Sequence, residues 1–177
     1  MRIRHVLSTV GPSAPAELVT IQDLTLRSIE RALRCAGDDL DVEVIAVRFP
    51  DEPVDREWLV DMPILERSVL DLGEFAIPRR LPLLSDVLAG FGDPADFDLA
   101  VYTNIDIAVQ PYFYDLVADL RRRGDDAISI TRRTVHPRYD GSTLAELSAA
   151  VGTHHPGDDC IVMASNLLAS LRPTDVA

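Results

Sequence analysis

Two polar side chains stand two residues apart at the end of a β-prone run: Asn104 and Asp106 in Val101-Tyr102-Thr103-Asn104-Ile105-Asp106-Ile107. An extended backbone turns alternate side chains to one side, so this spacing aims an amide oxygen and a carboxylate at a common ligand. Two hard oxygens suit Mg²⁺ or Mn²⁺, which take few protein carboxylates and complete their shell with water and substrate phosphates. The same N-x-D also serves as a plain strand end, and so short a motif does not decide between the two. A second acidic group, Asp158-Asp159, follows Gly157 and precedes an apolar run. Asp159 can act as a general base toward a hydroxyl, or the pair can be a local turn. Arg132 and Arg133 follow another β-prone run, where a guanidinium can fork onto phosphate or pair with nearby acids. In so acidic a chain ion pairing is the expected role, and Arg79 and Arg80 are alike in this. His154 and His155 can ligate a metal or donate to phosphate, but as paired loop histidines they are expected at the surface, and Arg121-Arg122-Arg123 are read as cations in the last turn of a helix, favoured there by the macrodipole.

The elements that must position these groups follow from periodicity and turn residues. A strand is expected at 6–10, stopped by Gly-Pro-Ser-Ala-Pro, then a helix carrying Leu18, Ile21, Leu24, Ile29, Ala32 and Leu33 on one face. A strand at 42–47 follows, then a loop or short exposed helix at 51–62, a further strand at 63–70, and a helix from Pro82 through Phe91. The β-rich run covers 97–109. Pro111 opens a helix presenting Phe113, Leu116, Val117 and Leu120, followed by a strand at 127–131, a helix at 143–151, and a polar turn entering a strand within 154–163. This alternation predicts an α/β fold, a mostly parallel but mixed sheet sandwiched between helices. Open α/β sheets bind ligands at the carboxyl ends of their strands. Thr9, Asn104, Asp106, Arg132 and Arg133 meet that condition, whereas Asp158 and Asp159 precede a strand and are not placed by it.

Length and composition bound the rest. A chain of 177 residues, 47% hydrophobic and 26% charged, is expected to fold as one domain over 1–177. The net charge of −12 opposes nucleic acid and anionic membranes as partners. A small anionic ligand then needs a bound cation, a helix N-terminus or well-placed arginines. Cys35 and Cys160 have no disulfide or zinc spacing. The first apolar stretch is too short for a signal-peptide core, and no run approaches the ~20 apolar residues of a membrane span. A cytoplasmic protein is expected, with a homo-oligomer left open.

The run 101–107, followed by Pro111-Tyr112-Phe113-Tyr114, resembles the DxD-like strand end of GT-A nucleotide-diphospho-sugar transferases, in the T-N-x-D-I form of some bacterial families. Arg80-Leu81-Pro82-Leu83-Leu84-Ser85-Asp86-Val87-Leu88 resembles the segment before that strand. His155-Pro156-Gly157-Asp158-Asp159-Cys160-Ile161-Val162 is similar to the later H-P-G-x-D-C-F-V element. The matches span roughly residues 80–163; the first half agrees only in its order of strands and helices. The resemblance implies a nucleotide-diphosphate sugar donor, a hydroxyl acceptor and Mn²⁺ or Mg²⁺ on the donor diphosphate. Asp106 would bind the metal, Asn104 the metal or the donor ribose, and Asp159 would face the sugar as base; Arg80, inside a matched segment, is a further candidate donor contact, and Thr9 is one by its place at a strand end. Two departures stand out. Asn104 replaces a carboxylate, bringing an oxygen without charge, and only 164–177 follow the Asp159 element where such enzymes carry an acceptor-binding portion. Both favour a competing reading, a non-catalytic accessory nucleotide-sugar-binding domain. A nucleotidyltransferase is disfavoured, because Gly11 stands alone among prolines with no glycine-rich phosphate loop.

Overall fold

The apolar runs and the helical segments alternate along the computed structural model, which describes residues 1–136 and 143–172. They form β1 (Arg2–Ser8), α1 (Ala16–Cys35), β2 (Asp41–Val47), β3 (Val60–Met62), α2 (Leu84–Ala89), β4 (Leu99–Thr103) and α3 (Phe113–Arg122). There follow β5 (Ala127–Ile130), β6 (Arg133–Thr134), α4 (Leu144–Ala149), β7 (Thr153–His154), β8 (Cys160–Ala164) and α5 (Ser165–Ser170). Six strands make one sheet in the order β3-β2-β1-β4-β8-β5, and β6 pairs with β7 beside it. From β3 to β4 all pairs are parallel; β8 runs antiparallel to both β4 and β5. The fold is therefore the mixed, mainly parallel sheet flanked by helices that the alternation predicts. Among the described residues no helix is long and apolar enough to cross a membrane.

Strands covered on both faces must be apolar at successive positions, and β2 is, with Val44, Ile45, Ala46 and Val47 all buried. Val44 and Ala46 join Ile3, Leu7, Leu99 and Val101 under α1 and α3. Ile45 and Val47 join Val6 and Ala100 against Val87 of α2, Phe91 and Phe97 on the other face. Contact there is close: a side chain at Gly90 would bring its first carbon to 2.3 Å from Val47 Cγ1.

One polar chain crosses the first face. His5 in β1 is fully buried between Tyr114 of α3 (Nδ1 to OH, 2.9 Å) and Thr103, the last residue of β4 (Nε2 to Oγ1, 2.8 Å). Each buried polar group needs a partner to offset its desolvation, and these three supply one another. The imidazole is neutral: burial pushes His5 down from 6.5 to about 3.

Several expectations are corrected. The first strand begins at Arg2 instead of residue 6, because its basic residues are accommodated: the Arg2 guanidinium donates to the Ala95 carbonyl (3.2 Å) and lies 3.5 Å from the Asp98 carboxylate, and Arg4 reaches Glu43 (2.7 Å) and the Phe91 carbonyl (2.6 Å). Residues 63–70 are not a strand. The edge strand is Val60–Met62, inside the stretch read as a loop, where Arg48 holds Asp61 by two bonds of 2.5 and 2.6 Å. The run 97–109 is extended only to Thr103. On α3 the buried positions include Tyr114 in place of Leu116, which is exposed, because the Tyr114 hydroxyl finds His5.

His5 makes a definite prediction about acid. Its folded value lies below its unfolded one, so its contribution is whole above pH 6.5 and is lost as pH falls toward the folded value, because only the unfolded chain takes up the proton. From pH 6.5 down to about pH 5, above the ordinary carboxylate range, the unfolding constant should approach a tenfold rise per pH unit. Urea titrations across that interval check this, and His5→Asn should flatten the slope.

Candidate functional site

Strand direction gathers the polar loops on one edge. Ser8, Val47, Met62, Thr103 and Ile130 end the strands there, and antiparallel β8 begins there, with Cys160 opposite Thr103 and Ile130. Asp159 is thereby set beside Asn104 although it precedes its strand: the Asn104 N–H donates to the Asp159 carbonyl (3.2 Å) and Asn104 Nδ2 to Asp159 Oδ1 (3.2 Å).

The loops at this edge are pinned from α1. Gln22 bonds both peptide groups of Val10 (2.8 Å each), fixing the chain after β1. Ser28 accepts the N–H of Val109 (2.9 Å), fixing the chain after β4. Between these anchors Asn104 to Ile107 is a turn, closed by Ile107 N–H on the Asn104 carbonyl (3.3 Å), and not the extended segment that the N-x-D spacing assumes.

Four side chains converge. Arg132 Nη1 contacts Asp106 Oδ2 at 2.7 Å, Nε lies 3.3 Å from Asp159 Oδ2, and Nη2 lies 3.1 Å from His155 Nε2. His155 Nδ1 stands 3.7 Å from the same Asp159 oxygen and 3.1 Å from the Gly157 N–H. A neutral imidazole accepts at one nitrogen, so Gly157 and Arg132 cannot both donate to it at once. Asp159 is 9% exposed, and its Oδ2 is closed to solvent yet carries no well-directed hydrogen bond. Gly157 allows this approach, since a side chain there would stand 2.9 Å from both Asp159 Oδ2 and His155 Nδ1. Beside them Tyr102 donates to Asn104 Oδ1 (2.8 Å); burial, then the charges of Asp106 and Asp159, raise its phenol above the ordinary value and keep the proton on it. Asp158 turns away and accepts from Ser129 (2.6 Å).

The other sequence candidates lie elsewhere on the edge. Thr9, after β1, is 1% exposed with its Oγ1 unpartnered. Arg80 is not brought to Asn104, Asp106 or Asp159; it pairs with Asp51 (2.8 Å) on the β2 side and stacks 3.7 Å over Phe49. Gly11 lets the two loops on that side touch, since a side chain there would meet the Glu52 backbone at 2.7 Å. Arg133 bonds the Gly152 carbonyl, and His154 is exposed in β7. Sequence reasoning set His155 aside and gave Tyr102 no role; its closeness to Asn104 at alternate spacing was the available signal.

The donor set is compatible with a hard cation. Among the described residues no three His, Cys, Asp or Glu side chains gather around a point. Two carboxylates, one with a buried oxygen lacking a bond, and one amide remain, which suits an ion drawing much of its shell from water and phosphate.

No protein-family model and no curated protein matches the chain. Among solved structures, the chain is similar to 4-diphosphocytidyl-2C-methyl-D-erythritol synthase from Anaerococcus prevotii, over 93% of this chain and 70% of that one, at 11% identity and a TM-score of 0.40. A likeness of that size carries no functional argument.

Thr9 offers a clean measurement. An unpaired buried hydroxyl costs stability, while a methyl group of the same shape does not. Thr9→Val should raise the stability of the free protein by about 1 kcal/mol, read as a higher denaturant midpoint at unchanged slope; a lower midpoint would show that the hydroxyl has a partner.

Proposed function

We propose that the chain binds a nucleotide-diphosphate sugar at this edge through Mg²⁺ or Mn²⁺ and transfers the sugar to a hydroxyl acceptor, as a GT-A-type glycosyltransferase. The observation that carries the reading is the meeting of Asp106 and Asp159 on one guanidinium, with Asn104 bonded to Asp159. In this reading Asp106 and Asn104 hold the cation, whose chemistry is to neutralise charge on the departing diphosphate. Asn104 Nδ2 holds Oδ1 of Asp159, and Oδ2, now beside the Arg132 guanidinium at 3.3 Å, meets the acceptor once that guanidinium turns away. That oxygen takes the hydroxyl proton as the acceptor oxygen bonds to the sugar carbon, and the bond to the diphosphate breaks with its electron pair leaving on phosphate. Thr9, whose hydroxyl is buried after β1, reaches the donor only if the loop that follows it opens, and Arg80 only by leaving Asp51. A second reading, an accessory domain that binds the donor without turnover, is favoured by Tyr102, which already occupies the Asn104 oxygen.

Two measurements test this. Calorimetric titration of UDP, GDP and dTDP should show binding that depends on Mn²⁺, and Asp106→Ala should abolish that dependence; a variant that binds metal and nucleotide like the parent ends the metal assignment. Asp159→Asn should keep donor affinity while transfer, read as nucleotide diphosphate released with a panel of hydroxyl acceptors, falls by roughly 10²- to 10⁴-fold. Equal turnover refutes the base, and metal-dependent binding with no turnover in the parent selects the accessory reading.

A further inference from the structure

We propose that Arg132 and a divalent cation are alternative occupants of the Asp106 carboxylate, so that the cation enters together with a diphosphate that draws the guanidinium away from both Asp106 and Asp159. This rests on the metal reading above and concerns how that site is loaded.

All three guanidinium nitrogens are spent inside the cluster, at 2.7 Å on Asp106, 3.3 Å from Asp159 and 3.1 Å from His155. The Asp159 oxygen is closed to solvent, with Arg132 and His155 as its charged or titratable neighbours. A cation on Asp106 Oδ2 must stand at about 2.0–2.1 Å, and Arg132 Nη1, 2.7 Å from that oxygen, leaves no room for it. Charge points the same way. Two carboxylates and one guanidinium carry one net negative charge; adding a divalent ion while Arg132 stays would set three positive charges against two negative in a partly dehydrated site, where such repulsion is large.

The guanidinium has somewhere to go. Its planar fork matches phosphate oxygens in pairs, so the ligand that brings the cation also offers Arg132 a better anion. Its movement breaks no ladder. Arg132 lies between β5 and β6, and its backbone carbonyl stays on the His155 N–H (3.2 Å) while the side chain turns. His155 is not left short either: once Arg132 leaves Nε2, Nδ1 can accept from Gly157 without conflict. Cation and diphosphate then strengthen each other's binding by the same factor, as linkage requires.

The test is calorimetry on the full chain with MnCl₂ alone, pyrophosphate alone, and MnCl₂ after pyrophosphate saturation. The parent should bind Mn²⁺ roughly 5- to 150-fold more tightly with pyrophosphate than without. Arg132→Gln should bind Mn²⁺ alone more tightly than the parent, by a similar factor, bind pyrophosphate more weakly, and show a smaller coupling than the parent, limited to what direct contact of cation and pyrophosphate supplies. Arg132→Lys, which keeps the charge but cannot fork, should fall between the two, and it carries the test if thermal melting shows Arg132→Gln unfolded. Mn²⁺ affinity in these variants equal to or below that of the parent overturns the exclusion; if the parent's Mn²⁺–pyrophosphate binding is still lost in Asp106→Ala, the metal reading survives. No Mn²⁺ binding to any variant, with or without pyrophosphate, overturns both.

Discussion

The antiparallel pairing of β4 with β8 is the constraint on which the polar edge depends. With Thr103 opposite Cys160, the residue after one strand meets the residue before the other, and Asn104 and Asp159 are joined by both backbone and side chain. Had β8 run parallel to β4, its carboxyl end at Ala164 would lie on this edge and Asp159 at the opposite one. The same pairing sets β5 parallel to β4, which delivers Arg132 to the cluster. One reversal of direction thus assembles an acid, an amide and a guanidinium from three separate segments.

Behind that edge both faces of the sheet are mainly apolar among the described residues, and the polar group at the centre of β1 is fully partnered. His5, Tyr114 and Thr103 satisfy each other without water, and Thr103 is the residue from which the Asn104 turn departs. A neutral imidazole at the sheet centre therefore ties the start of the candidate site to α3. Gln22 and Ser28 do the same from α1, so two helices of one face hold the loops of the edge in register.

Strands buried on both faces announce themselves as continuous apolar runs, and 42–47 was legible for that reason. The first strand was cut short in the reading because Arg2 and Arg4 look like a charged terminus, and only the tertiary partners Asp98 and Glu43 show how a strand tolerates them. β3 was missed because three residues, two of them exposed, cannot display a period of two. The candidate residues at strand ends were visible as a set, but strand direction is a property of the sheet and not of the local sequence. For that reason Asp159 could not be placed beside Asn104 beforehand, nor could the claim of Asp51 on Arg80 be foreseen.

The central strand order also bears on how far the chain must search to fold. β1 joins β2 through partners such as Ile3 and Val42, but its other side joins β4, where Ile3 faces Leu99. Closing that second ladder bridges a far longer stretch of chain, and pairings between distant segments slow the search for the native state. β8 comes later still and pairs with both β4 and β5, so its ladder with β4 closes another long stretch of chain. The edge that holds Asn104, Asp106, Arg132 and Asp159 thus depends on pairings between distant segments, and until β4 is in place the flank of β1 that it covers is open to wrong partners, including other copies of the chain.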